Sequence, residues 1–263
     1  MGSKPEKVRF PDQSSLDEIT RQLPDGFYST FRTYDLCTRV IGLARHLRRL
    51  PAVDASSLRR NLRQLLEPYR PGETRVRVME TKQREVFISI EPLRPLPAEV
   101  YENGVRVETT SIQRIDPRAK STTFISVSNA ERNHIAQAGI FEALLVKDGK
   151  ILEGMTSNFF YILRAERAQR GILYTAQKNI LLGVTRAMLI RAARGRGVEV
   201  RYRALELSQL RTVKEAFITS SSRGVVPVIQ IDDVRVGQGR VGRVTKELMH
   251  AYAEYVNRRA EKI

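Results

Sequence analysis

Leu182-Gly183-Val184-Thr185-Arg186 sets a glycine and a threonine at the start of a predicted helix, and such a start can hold an anion. The first amides of a helix have no internal partner, and the helix dipole favours negative charge there. Gly183 permits close approach and Thr185 adds a hydroxyl, although the same residues would also serve as a plain threonine N-cap. Ser220-Ser221-Ser222 ends a predicted strand and runs on to Gly224. That gathers hydroxyls and amides in a tight turn, which an ordinary loop would do as well. Glu153-Gly154 closes a predicted hairpin and by itself reads as an exposed carboxylate. Together the three segments make a phosphate and cofactor site physically plausible.

The elements that must position these groups can be read from periodicity. SLDEITRQL is a short helix ending at the Pro24-Asp25-Gly26 turn, and FYSTFRTY (27–34) is a β-prone strand. RVIGLARHLRRL reads as helical, and LRRNLRQLLEPY as an amphipathic helix ended by Pro68. TRVRVMET and REVFISIEPL alternate like antiparallel strands, and GVRVETTSI adds another. After the basic, turn-prone segment around residues 113–122 come the helix NAERNHIAQAG and a hairpin turning at Asp148-Gly149. The strands NFFYIL and GILYTA then lead to the helix LLGVTRAMLIRAARGRG (181–197). VEVRYRAL, EAFITSSS and VVPVIQID read as strands, and the closing helix places Val244, Leu248, Tyr252 and Tyr255 on one face. Helices and strands do not alternate regularly. The expectation is therefore a mixed α/β fold rather than a doubly wound parallel sheet, with a smaller domain at 1–115 and a larger one at 120–263.

A chain of 263 residues can build one large domain or two modest ones. Its 41% hydrophobic and 7% aromatic content is ordinary for a globular protein, and no stretch is apolar for long enough to span a bilayer. MGSKPEKVRF lacks the apolar core of a secretory signal, and the lone Cys37 excludes an intrachain disulfide. The expected location is the cytoplasm. The net charge of +16 comes with arginines spread along predicted helices, without zinc-ligand spacing or a helix-turn-helix signal. Nucleic acid is thus not the expected partner. A solvated basic surface fits better, and it would favour anionic small molecules at modest salt. His46, His134 and His250 sit in helix patterns and read as structural or exposed, and no constellation suits a metal.

Taken in order, Lys120-Ser-Thr, EALLVKDGKILEGMTSNFF, LLGVTR and EAFITSSSRGVVPV strongly resemble class-IV aminotransferases. That family includes branched-chain aminotransferases, D-amino-acid transaminases and aminodeoxychorismate lyases. The resemblance runs from about Gly26 to the last helix. It implies a two-domain, D-amino-acid aminotransferase-like fold, a homodimer and pyridoxal 5′-phosphate as cofactor. It places Lys120 on the family's Schiff-base lysine and Glu153 on the carboxylate that binds the pyridine nitrogen. Leu181 falls on the side chain that packs against the ring. Val184, Thr185 and Ser221 fall on the phosphate cup, and His46-Leu-Arg-Arg49-Leu50 matches a block whose arginine, here Arg49, is a phosphate ligand. Tyr28, Arg77 and the amide of Ser222 align with substrate-side positions. The implied activity is transamination between an amino acid, branched-chain-like as first guess, and a 2-oxo acid. The alternatives are aminodeoxychorismate lyase chemistry on the same fold and a non-catalytic basic binding protein. Three departures loosen the substrate assignment: Ser-Thr-Thr-Phe-Ile follows Lys120 without the expected Tyr, a polar segment and helix replace the N-terminal strand, and Ser29 stands where Glu is common.

Overall fold

Ser15 starts the first described helix with a capping box: its hydroxyl accepts from the Glu18 amide at 3.3 Å, and Glu18 Oε2 accepts from the Ser15 amide at 2.7 Å. It stands near the beginning of a computed structural model that describes residues 14–165 and 168–263. The first ten residues, weighed above as a signal, lie outside them. In chain order the helices are α1 (Leu16–Gln22), α2 (Leu43–Leu47), α3 (Ala55–Leu65), α4 (Ala98–Asn103), α5 (Thr123–Val127), α6 (Asn129–Gln137), α7 (Val184–Gly195) and α8 (Arg243–Arg259). The strands of the first half are β1 (Gly26–Tyr34), β2 (Arg39–Val40), β3 (Thr74–Thr81), β4 (Val86–Pro92), β5 (Val105–Thr110), β6 (Glu142–Lys147) and β7 (Lys150–Gly154). Those of the second half are β8 (Asn158–Ala165), β9 (Ala168–Thr175), β10 (Val200–Tyr202), β11 (Leu205–Glu206), β12 (Glu215–Ser220), β13 (Gly224–Ile231), β14 (Val234–Arg235) and β15 (Glu261–Lys262).

The chain divides into two compact units. One holds residues up to Arg94 with Ala119–Val127 and Arg259–Ile263; the other holds Pro95–Arg118 and Ser128–Arg258. This differs from a single boundary at residues 115–120, because the chain passes between units more than once. The first unit is built on a sheet of order β15-β2-β1-β3-β4. Phe31, Leu43, Leu50, Leu62, Val76 and Val78 are buried against it, each side chain contributing about 1.5–3 kcal/mol by leaving water. RVIGLARHLRRL is not one helix. Gly42 takes φ 65° as the N-cap of α2, and Arg39–Val40 is drawn into the sheet as β2. Tertiary pairing outweighs local helical periodicity there.

The second unit has a mixed sheet of order β10-β9-β8-β12-β13-β5-β6-β7-β11. β5 lies parallel to both β13 and β6, whereas its alternating pattern groups it with β3 and β4. The proline-rich stretch at 92–97 and α4 intervene, and β5 finds partners in the other sheet. Phe159, Tyr161, Tyr174 and Ile218 lie in the core of this unit, and Phe160 stacks on Phe217 with ring centroids 5.1 Å apart. On α8, Val244, Leu248 and Tyr252 are buried, and Val256 rather than Tyr255 continues the face. Among the described residues no helix is long and apolar enough to cross a membrane.

Candidate active site

Glu153 sits near the end of β7, where the chain turns through 155–157 into β8. The turn is closed by the Gly154 amide donating to the Ser157 carbonyl at 2.9 Å. A Cβ on Gly154 would stand 2.2 Å from Ser157 Oγ, so only glycine fits. The Glu153 carboxylate is 2% exposed yet well satisfied. It accepts from Asn158 Nδ2 at 3.0 Å, from the Leu181 amide at 3.1 Å on both oxygens, and from Arg114 Nε at 3.0 Å. Arg114 is itself buried and anchored by donation from Nη2 to the Met155 carbonyl at 2.6 Å. A carboxylate with a cation and amide donors beside it is paired and aimed. Asn158 Nδ2 also donates to the Leu181 carbonyl at 2.8 Å, so Glu153 and the loop carrying Leu181 form one hydrogen-bonded piece. Glu153 is therefore no surface carboxylate.

The start of α7 lies in the same unit. Gly183 is its N-cap, makes no side-chain cap and has no acidic residue following in the first turn. A Cβ there would lie 2.1 Å from Asn158 Oδ1, which explains the glycine by close approach. Val184 and Thr185 are buried, and the Thr185 hydroxyl donates to Ser221 Oγ at 3.4 Å. Ser221, Ser222 and Arg223 form the turn between β12 and β13, with Ser220 opposite Gly224. Arg223 ties this turn down, donating to Ser220 Oγ at 3.0 Å, Glu142 Oε2 at 3.0 Å and Thr156 Oγ1 at 2.5 Å. Thr219 Oγ1 is buried and has no hydrogen-bond partner among the described residues. Uncapped amides, clustered hydroxyls and an orphaned one make a donor set that fits an anion such as a phosphate.

The first unit carries Lys120, Arg49, Tyr28 and Arg77. Lys120 opens a segment laid along the start of β1: the Tyr28 amide donates to the Lys120 carbonyl and the Thr122 amide to the Gly26 carbonyl, both at 3.0 Å. Its Nζ lies 4.7 Å from the centre of the Tyr28 ring. The β-branched residues after it form α5 rather than continuing as a strand. Arg49 follows α2, and burial lowers its pKa, with Tyr28 offsetting part of that. His46 is buried, and its Nδ1 lies 2.8 Å from Ser29 Oγ. Desolvation, then Arg49 and Lys120, lower its pKa to about 3, so it is neutral near neutral pH and structural. Arg77 is committed to α1. It donates to Thr30 Oγ1 (3.1 Å), the Leu16 carbonyl (2.9 Å), Thr20 Oγ1 (2.6 Å) and Asp17 Oδ1 (2.7 Å). Its Cζ stands 4.5 Å from the Tyr28 ring centre. It is neither solvent-exposed nor open on most of its edges.

Arg114 and Asn158, which hold Glu153, and the buried Arg186 are given no role by sequence reasoning. Asn158 stands in the EGMTSNFF block, five residues after Glu153 across a turn, and that spacing could have singled it out. Arg114 carries no local signal. Among the described residues no group of His, Cys, Asp and Glu could hold a metal ion.

Comparison with known proteins gives relatives for the sequence and neighbours for the fold. A provisionally named branched-chain-amino-acid aminotransferase of Methanocaldococcus jannaschii is 32% identical over 170 residues, 61% of this chain and 56% of that protein. The match thus spans about half the length of the curated relatives. Among solved structures, a provisionally named branched-chain amino acid aminotransferase of Thermotoga maritima superposes with a TM-score of 0.78 at 25% identity, covering 95% of this chain and 94% of that one. The PLP-bound form of a provisionally named aminotransferase of Mycobacterium tuberculosis shares the fold, with a TM-score of 0.76 at 20% identity over 95% and 96% of the two chains. The amino-transferase class IV model matches residues 26–231, and the chain belongs to that family.

Proposed function

We propose that this chain is a pyridoxal 5′-phosphate enzyme that transfers an amino group between an amino acid and a 2-oxo acid, with branched-chain-like amino acids as first substrates. The observation that carries the reading is the buried Glu153, paired with Arg114 and oriented by Asn158 and the Leu181 amide, in the same unit as the anion-ready start of α7. When bound, the cofactor supplies a protonated pyridine ring that withdraws electrons and acidifies the substrate Cα–H. Glu153 would meet the ring nitrogen and keep its proton in place. Leu181 would pack on the ring. The Val184 amide, the Thr185 and Ser221 hydroxyls and Arg49 would hold the phosphate. Lys120 would hold the cofactor covalently and, once displaced by substrate, carry the proton as general base. Tyr28 and the Ser222 amide would face the substrate, and Arg77 would act there through Tyr28 and α1. We further propose a cytoplasmic homodimer, testable by sedimentation.

Purified protein should show visible absorbance from bound cofactor. Borohydride reduction and peptide mapping should then place the label on Lys120. A label on another lysine, or none, refutes the assignment. Amino transfer should depend on added 2-oxo acid. Release of pyruvate without an acceptor would point to lyase chemistry instead.

A further inference from the structure

Arg186 places a cation where α7 by itself should not want one. It follows Thr185 in the first turn, the positive end of the helix dipole, and is 4% exposed. Among the described residues its hydrogen bonds reach only neutral acceptors: Nη2 donates to the Ala176 carbonyl at 2.7 Å and to Gln177 Oε1 at 2.8 Å, and Nε to Thr175 Oγ1 at 3.4 Å. The Tyr202 ring lies 5.5 Å from its Cζ. The neighbouring Arg118, which donates to the Gln177 carbonyl at 2.8 Å, is a second cation and no counter-ion. Burial lowers the Arg186 pKa to about 10; Arg118 pushes the same way, against the pull of Tyr202 and Glu153. A desolvated charge bonded to neutral groups is costly unless something offsets it. A bound dianion at the helix start would offset both the desolvation and the dipole.

We infer that Arg186 is the buried counter-charge of the phosphate held at the start of α7, a positioning residue that raises phosphate affinity through its field. This rests on the phosphate reading above. Arg186 has a second task, since its bonds to Thr175, Ala176 and Gln177 shape the head of the loop that leads to Leu181. Only the first task depends on the ligand's phosphate, and that separates them.

The test is titration of the full-length apoenzyme with pyridoxal 5′-phosphate and with pyridoxal, which has the same ring and aldehyde without the phosphate. Arg186→Met should weaken binding of the phosphorylated ligand about tenfold, the scale of a partly buried charge at a helix end, while pyridoxal affinity changes less than about twofold. Arg186→Lys keeps the charge and should restore most of the preference. Equal losses for both ligands, or an unchanged ratio, would overturn the inference. Should Arg186→Met not fold, Arg186→Gln carries the same comparison. If the parent protein itself does not prefer the phosphorylated ligand, the phosphate reading falls and this inference falls with it.

Discussion

In the second unit the central carboxylate is surrounded by donors, whereas in the first the cations gather about an aromatic ring and a neutral imidazole. Glu153 is fixed by directed hydrogen bonds from Asn158, Leu181 and Arg114. Lys120 and Arg77 both lie over Tyr28, and His46 is kept neutral mainly by desolvation. Directed bonds fix an angle, so the donor-ringed carboxylate is suited to meeting one atom of a ligand. Packing and desolvation fix an environment, and that is what keeps His46 neutral among its cationic neighbours.

That contrast can be broken experimentally. Glu153→Gln keeps the shape and removes the charge. Turnover should fall by about 10²–10⁴-fold, the usual scale of a proton-transfer contribution, while cofactor stays bound, as steady-state kinetics with an absorbance spectrum would show. Full turnover in that variant would make the donor ring merely structural.

Arg49→Ala should weaken cofactor retention by roughly one to two powers of ten, since a hydrogen bond to a charged group is worth about 1.5–3 kcal/mol. Dialysis against cofactor-free buffer and back-titration measure it. Retention equal to the parent's would show that Arg49 does not hold the phosphate.

The last effect concerns His46 and is read in stability, with no change expected in turnover. Its pKa is about 3 when folded against an ordinary 6.5, so between those values the unfolded chain binds the extra proton. Stability from this group is complete above pH 6.5 and drains away as pH falls toward 3. His46→Gln should flatten that acid limb by a few kcal/mol at most, read from urea midpoints between pH 7 and 4. An unchanged slope would mean that His46 is solvated and the cluster is not dry.

The sequence by itself determined the local pieces: the glycine and threonine at the start of α7, the Asp148-Gly149 hairpin that delivers Glu153, the serine turn, and the amphipathic faces of α3 and α8. Each depends on residues a few positions apart, so spacing reveals it. Only the tertiary structure decided who answers them. Arg114 reaches Glu153 across 39 residues, Thr122 and Lys120 pair with β1 from 96 and 92 residues away, and Asp17 takes up Arg77 across 60. β5 left the sheet its pattern suggested, and Arg77 donates to groups on α1 and to Thr30 of β1. Such partners leave no periodic trace. They are chosen by which buried polar groups must be satisfied once the chain has folded, and an unpaired one costs about 1–3 kcal/mol.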